Sequence, residues 1–258
     1  MRSFLAPLVL AAALPAFAQG VEKHWYFDVH SFGPTFEGRF QDHSGSNPVD
    51  VDLQNDLGLA KDKTKVGFGL EYQGPRFGLE LARDEEDYKG AKVVSRNITI
   101  NGQTFNESTL VHSSLKAVDN TLNWTIRCAT WPQFWIGLDL GVRATQMEIH
   151  ADGTDPFTNI SATAHYKTTL PVPQIGPSLG FEALDNRVIA RAYYHFLTYK
   201  GCTYKHPGAD LRAFPVRWLG VRVFTDGEHF KVPRNSINSD VEANLDRTGT
   251  GLGIVLRY

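Results

Sequence analysis

Beyond residue 18 the chain has no apolar run approaching the roughly 20 residues that a membrane-spanning helix needs, so no transmembrane helix is predicted. Cysteine is nearly absent: Cys128 and Cys202 are the only two, so one disulfide at most could form. There is no surplus of either charge, the net being -2 at pH 7. Nucleic-acid binding needs a concentrated basic face, and this composition does not provide one. What remains is a chain of 258 residues that can satisfy a membrane only with strands. Strands in lipid must close their hydrogen bonds on one another, which means a barrel; the alternative is a soluble periplasmic β-sandwich, whose apolar face would turn inward.

The opening residues read as an export signal. Met1-Arg2 is a short positive segment, Phe4 to Leu14 is apolar, and Ala16-Phe17-Ala18 is a small-x-small cleavage site. Residues 1–18 are therefore expected to be a signal peptide, with residues 19–258 forming a single barrel domain.

Period-two alternation recurs through the rest. Val66, Phe68, Leu70 and Tyr72 oppose Gly67, Gly69, Glu71 and Gln73. Phe134, Ile136, Leu138, Leu140 and Val142 oppose Trp135, Gly137, Asp139, Gly141 and Arg143. The same pattern marks segments at 77–81, 122–127, 175–181, 188–194 and 219–223. At the end, Leu252, Ile254, Leu256 and Tyr258 alternate with Gly253, Val255 and Arg257, a terminal strand closing on an aromatic. Short connections near 74–75, 129–132, 185–186 and 214–216 alternate with long polar ones near 38–63, 89–110, 150–165, 200–208 and 225–243. Short periplasmic turns and long extracellular loops are the outer-membrane pattern. Aromatics beside the short turns (Tyr72, Phe77, Trp131, Phe134, Phe181, Phe214, Trp218, with Trp25 and Tyr258) predict an interfacial girdle. The expectation is an all-β, single antiparallel up-and-down transmembrane β-barrel of ten strands. Eight is the alternative if the short segment Asp210 to Ala213 and a partner drop out.

Three stretches resemble the small Gram-negative outer-membrane β-barrel proteins, of the OmpA/OmpW type. They are Asp52-Leu53 through Asp56-Leu57-Gly58-Leu59, the hairpin Thr99-Ile100-Asn101-Gly102-Gln103-Thr104-Phe105, and the strand Gly249 to Tyr258. The resemblance implies a location in the bacterial outer membrane and a fold, not an activity. It also implies partners in outer-membrane lipid and lipopolysaccharide. The outer-membrane insertion machinery would read Leu252, Ile254, Leu256 and Tyr258.

Glu71, Glu80, Arg127, Asp139, Arg143, Glu182, Arg191 and Arg222 fall on the inward face and are the expected lumen lining. Opposite charges in a narrow barrel can pair across it and fill it, as side chains fill small barrels. No cofactor, metal or catalytic residue is predicted. Asp50-Val-Asp52-Leu-Gln54-Asn55-Asp56 lacks the Gly and Glu of a calcium loop, having Asn55 and Lys61 there. Gly249-Thr-Gly251-Leu-Gly253 precedes no helix, and Glu228-His229 lacks a second histidine. His112 with Ser113 and Ser114 is the only local combination compatible with a hydrolase. Cys128 at a periplasmic turn and Cys202 in a far loop are expected to stay unpaired, because a disulfide needs Cα atoms within about 7 Å. Pro171, Pro173 and Pro177 share one parity and lack the N–H that a ladder needs. They point either to a local bulge or a strand that starts only after Pro173, or to a weak lateral seam, through which a small apolar ligand could pass. The expected function is a passive structural or narrow-transport barrel, including lateral passage of apolar molecules. A lipid A or phospholipid hydrolase or acyltransferase and a loop-based adhesin or receptor are the alternatives.

Overall fold

The computed structural model describes residues 23–42, 49–60, 64–234 and 241–258. The signal peptide and its cleavage site lie outside the described residues.

Thirteen strands follow one another with no intervening helix among the described residues: β1 (His24–Asp42), β2 (Val49–Asp52), β3 (Lys65–Gln73), β4 (Phe77–Val93), β5 (Ile98–Ile100), β6 (Gln103–Phe105), β7 (Leu110–Thr130), β8 (Phe134–Thr154), β9 (Ser161–Ala183), β10 (Val188–Tyr199), β11 (Cys202–Val216), β12 (Leu219–Val232) and β13 (Val241–Arg257). Ten of them, β1, β3, β4 and β7 to β13, pair antiparallel with their neighbours in a ring, and β2 adds to the upper part of β1. The ring closes where β13 meets β1 in unbroken register, from Tyr26 opposite Arg257 to Asp42 opposite Val241. The Trp25 and Tyr258 backbones then exchange both hydrogen bonds, at 2.8 and 2.9 Å. A closed ring lets neighbouring strands satisfy one another's amides, which is the condition for spanning a bilayer with strands.

The apolar band predicted from alternation faces outward. Phe27, Val29, Phe68, Leu70, Phe77, Leu79, Trp124, Ile136, Val142, Val221 and Leu252 are exposed on the outer wall. Trp25 packs on Tyr72 at 5.1 Å, and Trp131 stacks on Phe134 at 4.3 Å at the lower rim. Phe214 is not part of that girdle. The strand carrying it runs to Val216, so its even position points inward, where the ring is 2% exposed against Tyr26.

The strands are much longer than alternation suggested. A transmembrane strand needs about 9–11 residues, yet β8 has 21 and β9 has 23. The extra length rises on the outer side, and there the phase of the pattern inverts. On β8 the outward row changes from Ile136, Leu138, Leu140 and Val142 to Gln146, Glu148 and His150, while the inward row becomes Met147, Ile149 and Ala151. Lipid gives way to water outside, so the apolar side chains move to the interior. Parts of the segments 150–165, 200–208 and 225–243 read as loops are for this reason strand. Cys202 lies in β11 and not in a loop; it is buried, Cys128 is exposed, and both are unpaired thiols.

The mouth is closed by its own small apolar core. Val51, Leu53, Leu57 and Leu59 from the β2 segment meet Ile98, Ile100 and Phe105 from the β5–β6 hairpin, over Tyr88, Val111 and Ile149. Asn101 and Gly102 take φ of 49° and 75°, the left-handed pair that a two-residue hairpin turn requires. Asp52 Oδ1 accepts the N–H groups of Gln54 and Asn55, shaping the turn that drops Leu53 and Leu57 inward.

An arginine replacing Leu138, near the middle of the band, should cost about 2–4 kcal/mol, against about 0–1 for an arginine replacing Phe134 at the rim. Urea titration of the refolded protein in lipid vesicles measures both; equal costs would place the band elsewhere.

Candidate functional site

The interior divides into tiers of charge beneath the apolar mouth. In the lowest tier Arg212 Nη1 lies 2.6 Å from Glu71, and its Nε donates to Asp210 at 2.9 Å. Arg127 reaches Glu182 at 3.2 Å and lies over the Trp135 ring at 4.7 Å. The middle tier centres on Asp139, which is fully buried. Its carboxylate accepts from Thr125 at 2.7 Å, Ser178 at 2.8 Å and Arg191 at 2.8 Å, and faces His195 Nε2 at 2.9 Å. Arg191 also reaches Glu80 at 3.2 Å. Across the lumen His30 bridges Asp28 at 2.6 Å and Asp84 at 2.9 Å. Both its ring nitrogens meet carboxylate oxygens, so the ring that fits is the imidazolium, with two donors. Arg222 completes that group through Asp28 at 3.2 Å. In the upper tier Arg247 gathers Glu86 at 2.6 Å, Asp119 at 2.8 Å and Glu228 at 2.5 Å, and Arg143 contacts Glu228 at 3.3 Å.

Glycines make room for these bridges. A Cβ at Gly67 would sit 2.1 Å from Asp84 and 2.5 Å from His30, and one at Gly69 would sit 2.4 Å from Asp28. The glycine face of β3 is thus the space into which the His30 bridge extends.

All eight residues predicted for the lumen point inward, and each lies in an ion pair: Glu71 with Arg212, Glu80 and Asp139 with Arg191, Arg127 with Glu182, Arg143 with Glu228, and Arg222 with Asp28. The sequence reading missed His30, His195, His206 and Asp226. His30 follows Asp28 at the inward parity of β1, a signal that was available. His206, Asp210 and Arg212 share one parity of β11, but the first of them sat in a segment read as loop. His112 and Ser113 do not form a site. His112 points out, while Ser113 is inside and donates to the Leu57 carbonyl at 2.6 Å.

A cavity of about 60 Å³ lies between the upper tier and the apolar mouth, with Glu86, Glu228 and Arg247 on its polar side and Phe36, Met147, Leu170, Val172 and Phe230 among its apolar lining. Its lining residues come from β1, β4, β7, β8, β9, β12 and β13, and none from β10 or β11.

The wall is interrupted beside that cavity. On one flank β9 pairs continuously with β8, through Pro177, Pro173 and Pro171. On the other, the β10 ladder runs from Val188 to Tyr193, omits the positions of Pro177 and Gly176, and makes its last pair between Ile175 and Phe196. From Gln174 to Ser161, β9 has no β10 partner. The carbonyl of His165 accepts from Asn101 of the hairpin turn, so odd positions of β9 point away from β8. The missing N–H groups of the three prolines therefore face β10. Beside the break the outer wall carries Tyr194, Phe196 and Tyr199, all exposed.

No family model and no curated protein matches this chain. Among solved structures it is similar to the outer membrane protease OmpT from Escherichia coli, at 10% identity over 93% of this chain and 100% of that one, with a TM-score of 0.65. Weaker likenesses include the translocator domain of the autotransporter NalP from Neisseria meningitidis (11% identity, 90% and 88% coverage, TM-score 0.43) and a Pseudomonas aeruginosa FadL homologue (9% identity, 93% and 91% coverage, TM-score 0.37). At such identities the OmpT likeness speaks for the fold alone.

Replacing Asp139 by alanine would leave Arg191 without its closest carboxylate and three further donors without an acceptor. The expected cost is about 3–5 kcal/mol, read from the urea midpoint of the heat-modifiable folded band on gels. A loss below about 1 kcal/mol would show that the tier does not depend on this carboxylate. Taken together, the closed ring, the girdled apolar band and the fold likeness give this chain the fold of an outer-membrane β-barrel.

Proposed function

We infer that this barrel does not work as an open aqueous pore but takes the end of an apolar chain sideways, from the outer leaflet into the cavity beneath its mouth. One observation carries the reading: the ladder between β9 and β10 stops at Ile175 and Phe196, and the cavity lies on the same side, bounded by Leu170 and Val172 of β9. Below the cavity the three ionic tiers fill the lumen, which argues against a continuous water path. Ten strands are in any case far fewer than the 16–18 that leave an aqueous channel.

The size of the cavity narrows the ligand class. A cavity of about 150 Å³ accepts a benzene ring, so 60 Å³ suits the tip of a linear chain and not a ring. The polar side, with Arg247 and two glutamates, is ion-paired within itself and leaves the apolar side for the ligand. The partners on this reading are outer-membrane lipid or lipopolysaccharide and a small apolar ligand. Leu252, Ile254, Leu256 and Tyr258 serve as the signal for the insertion machinery.

The test uses the full barrel in lipid nanodiscs with a fluorescent fatty acid, together with planar bilayers. Val172→Arg and Leu170→Arg put an unpaired charge into the apolar side and should weaken probe binding by about tenfold or more. Neither the parent nor the variants should conduct ions. Steady single-channel conductance by the parent, or probe binding unchanged by both substitutions, would overturn the reading.

A further inference from the structure

His195 on β10 and His206 on β11 stand directly opposite each other in the ladder, and their side chains meet inside the barrel. Each ring is anchored by its far nitrogen. His195 Nε2 lies 2.9 Å from Asp139, and His206 Nε2 lies 2.5 Å from Asp226. A carboxylate at Nε2 calls for a proton there, which leaves Nδ1 of each ring as a lone pair. Those two lone pairs face each other at 3.4 Å. That is long for a hydrogen bond, whose usual N···O distance is about 2.9–3.0 Å. It matches the edge between two donors on a tetrahedral zinc ion, which is about 3.3–3.4 Å for Zn–N bonds of about 2.0–2.1 Å.

A third donor stands at the same spacing. The Gln174 amide nitrogen lies 3.4 Å from His206 Nδ1 and 2.8 Å from the Tyr204 hydroxyl. Gln174 is 2% exposed, and its Oε1 has no hydrogen-bond partner. Turned over, the amide presents its oxygen at those distances, accepting from Tyr204 and facing the His206 imidazole. The three side chains line a cavity of about 60 Å³, which leaves space for a water as fourth ligand.

The charge of the interior points the same way. The eleven carboxylates named in the tiers and at Asp226 outnumber the six guanidinium groups by five. With His30 as the imidazolium and His195 and His206 neutral, four negative charges remain, so a divalent cation here has counter-charge around it. Arg191, the cation nearest His195 on its own strand, is already held by Asp139 and Glu80.

We propose that His195 Nδ1, His206 Nδ1 and the Gln174 carbonyl form a buried site for one divalent transition-metal ion of the zinc class, oriented by Asp139 and Asp226. Carboxylates behind ligating histidines are the usual support of such a site, and their removal costs about 10–100-fold in metal affinity. The site ties β10 to β11 and, through Gln174, across the interrupted ladder to β9.

The chain is refolded from urea into detergent with zinc or cobalt chloride, because a buried site loads most readily as the barrel closes. Free metal is then removed and the bound metal counted. One equivalent is expected, with the visible cobalt bands of a four-coordinate site. The double variant His195→Ala with His206→Ala should lose it, and Asp226→Asn should weaken it about 10–100-fold. His150→Ala with His165→Ala, which removes the exposed histidine pair on β8 and β9, should leave it unchanged. X-ray absorption at the zinc edge of the parent protein should show two imidazole ligands, a reading that does not require the double variant to fold. No bound metal, or metal lost only with His150 and His165, would overturn the proposal. So would a zinc edge without imidazole scattering.

Discussion

A backbone amide inside a bilayer has no water to turn to, and every other feature of this molecule follows from that constraint. The chain meets it by closing ten strands into a ring, with the last strand returning to the first in unbroken register. Once the ring is closed, one face of each strand belongs to lipid and the other to a narrow interior. The outer face is settled by hydrophobicity alone. The inner face must be filled by what is left, which here is mostly charge.

Filling a lumen with charge is costly unless every ion has a partner, because each one is taken out of water. The interior answers with tiers in which arginines are shared between carboxylates, as Arg191 is between Asp139 and Glu80 and Arg247 among three acids. Such sharing needs long side chains to cross the barrel, and crossing needs empty space. Gly67 and Gly69 supply it beneath His30 and Asp28. The groups that neutralise one another also occupy the lumen.

Above the lipid the constraint relaxes, and the structure changes character. The strands continue, but with apolar side chains inside and polar ones outside, as in a water-soluble barrel. The β9–β10 ladder ends near that level, with Ile175 and Phe196 as its last pair, where Pro173 and Pro171 have no N–H to give β10. The interruption, the apolar cavity and the exposed aromatics on β10 meet at the height where the two regimes join.

Much of this was legible in the residues. Alternation identified the lipid-facing rows, the inward parity of the eight lumen charges and the proline parity on β9, because period two is a property of the chain and needs no partner. The terminal strand and the short turns fell out of the same pattern. Strand length did not, since inverting the phase on leaving lipid makes a continuing strand look like a polar loop, as at residues 150–154 of β8 and 202–208 of β11. Nor could the sequence set His195 opposite His206, or bring Asp84 of β4 to His30 of β1. Those contacts are set by the register of the β10–β11 hairpin and by the way β1, β3 and β4 curve around the lumen, neither of which period two encodes.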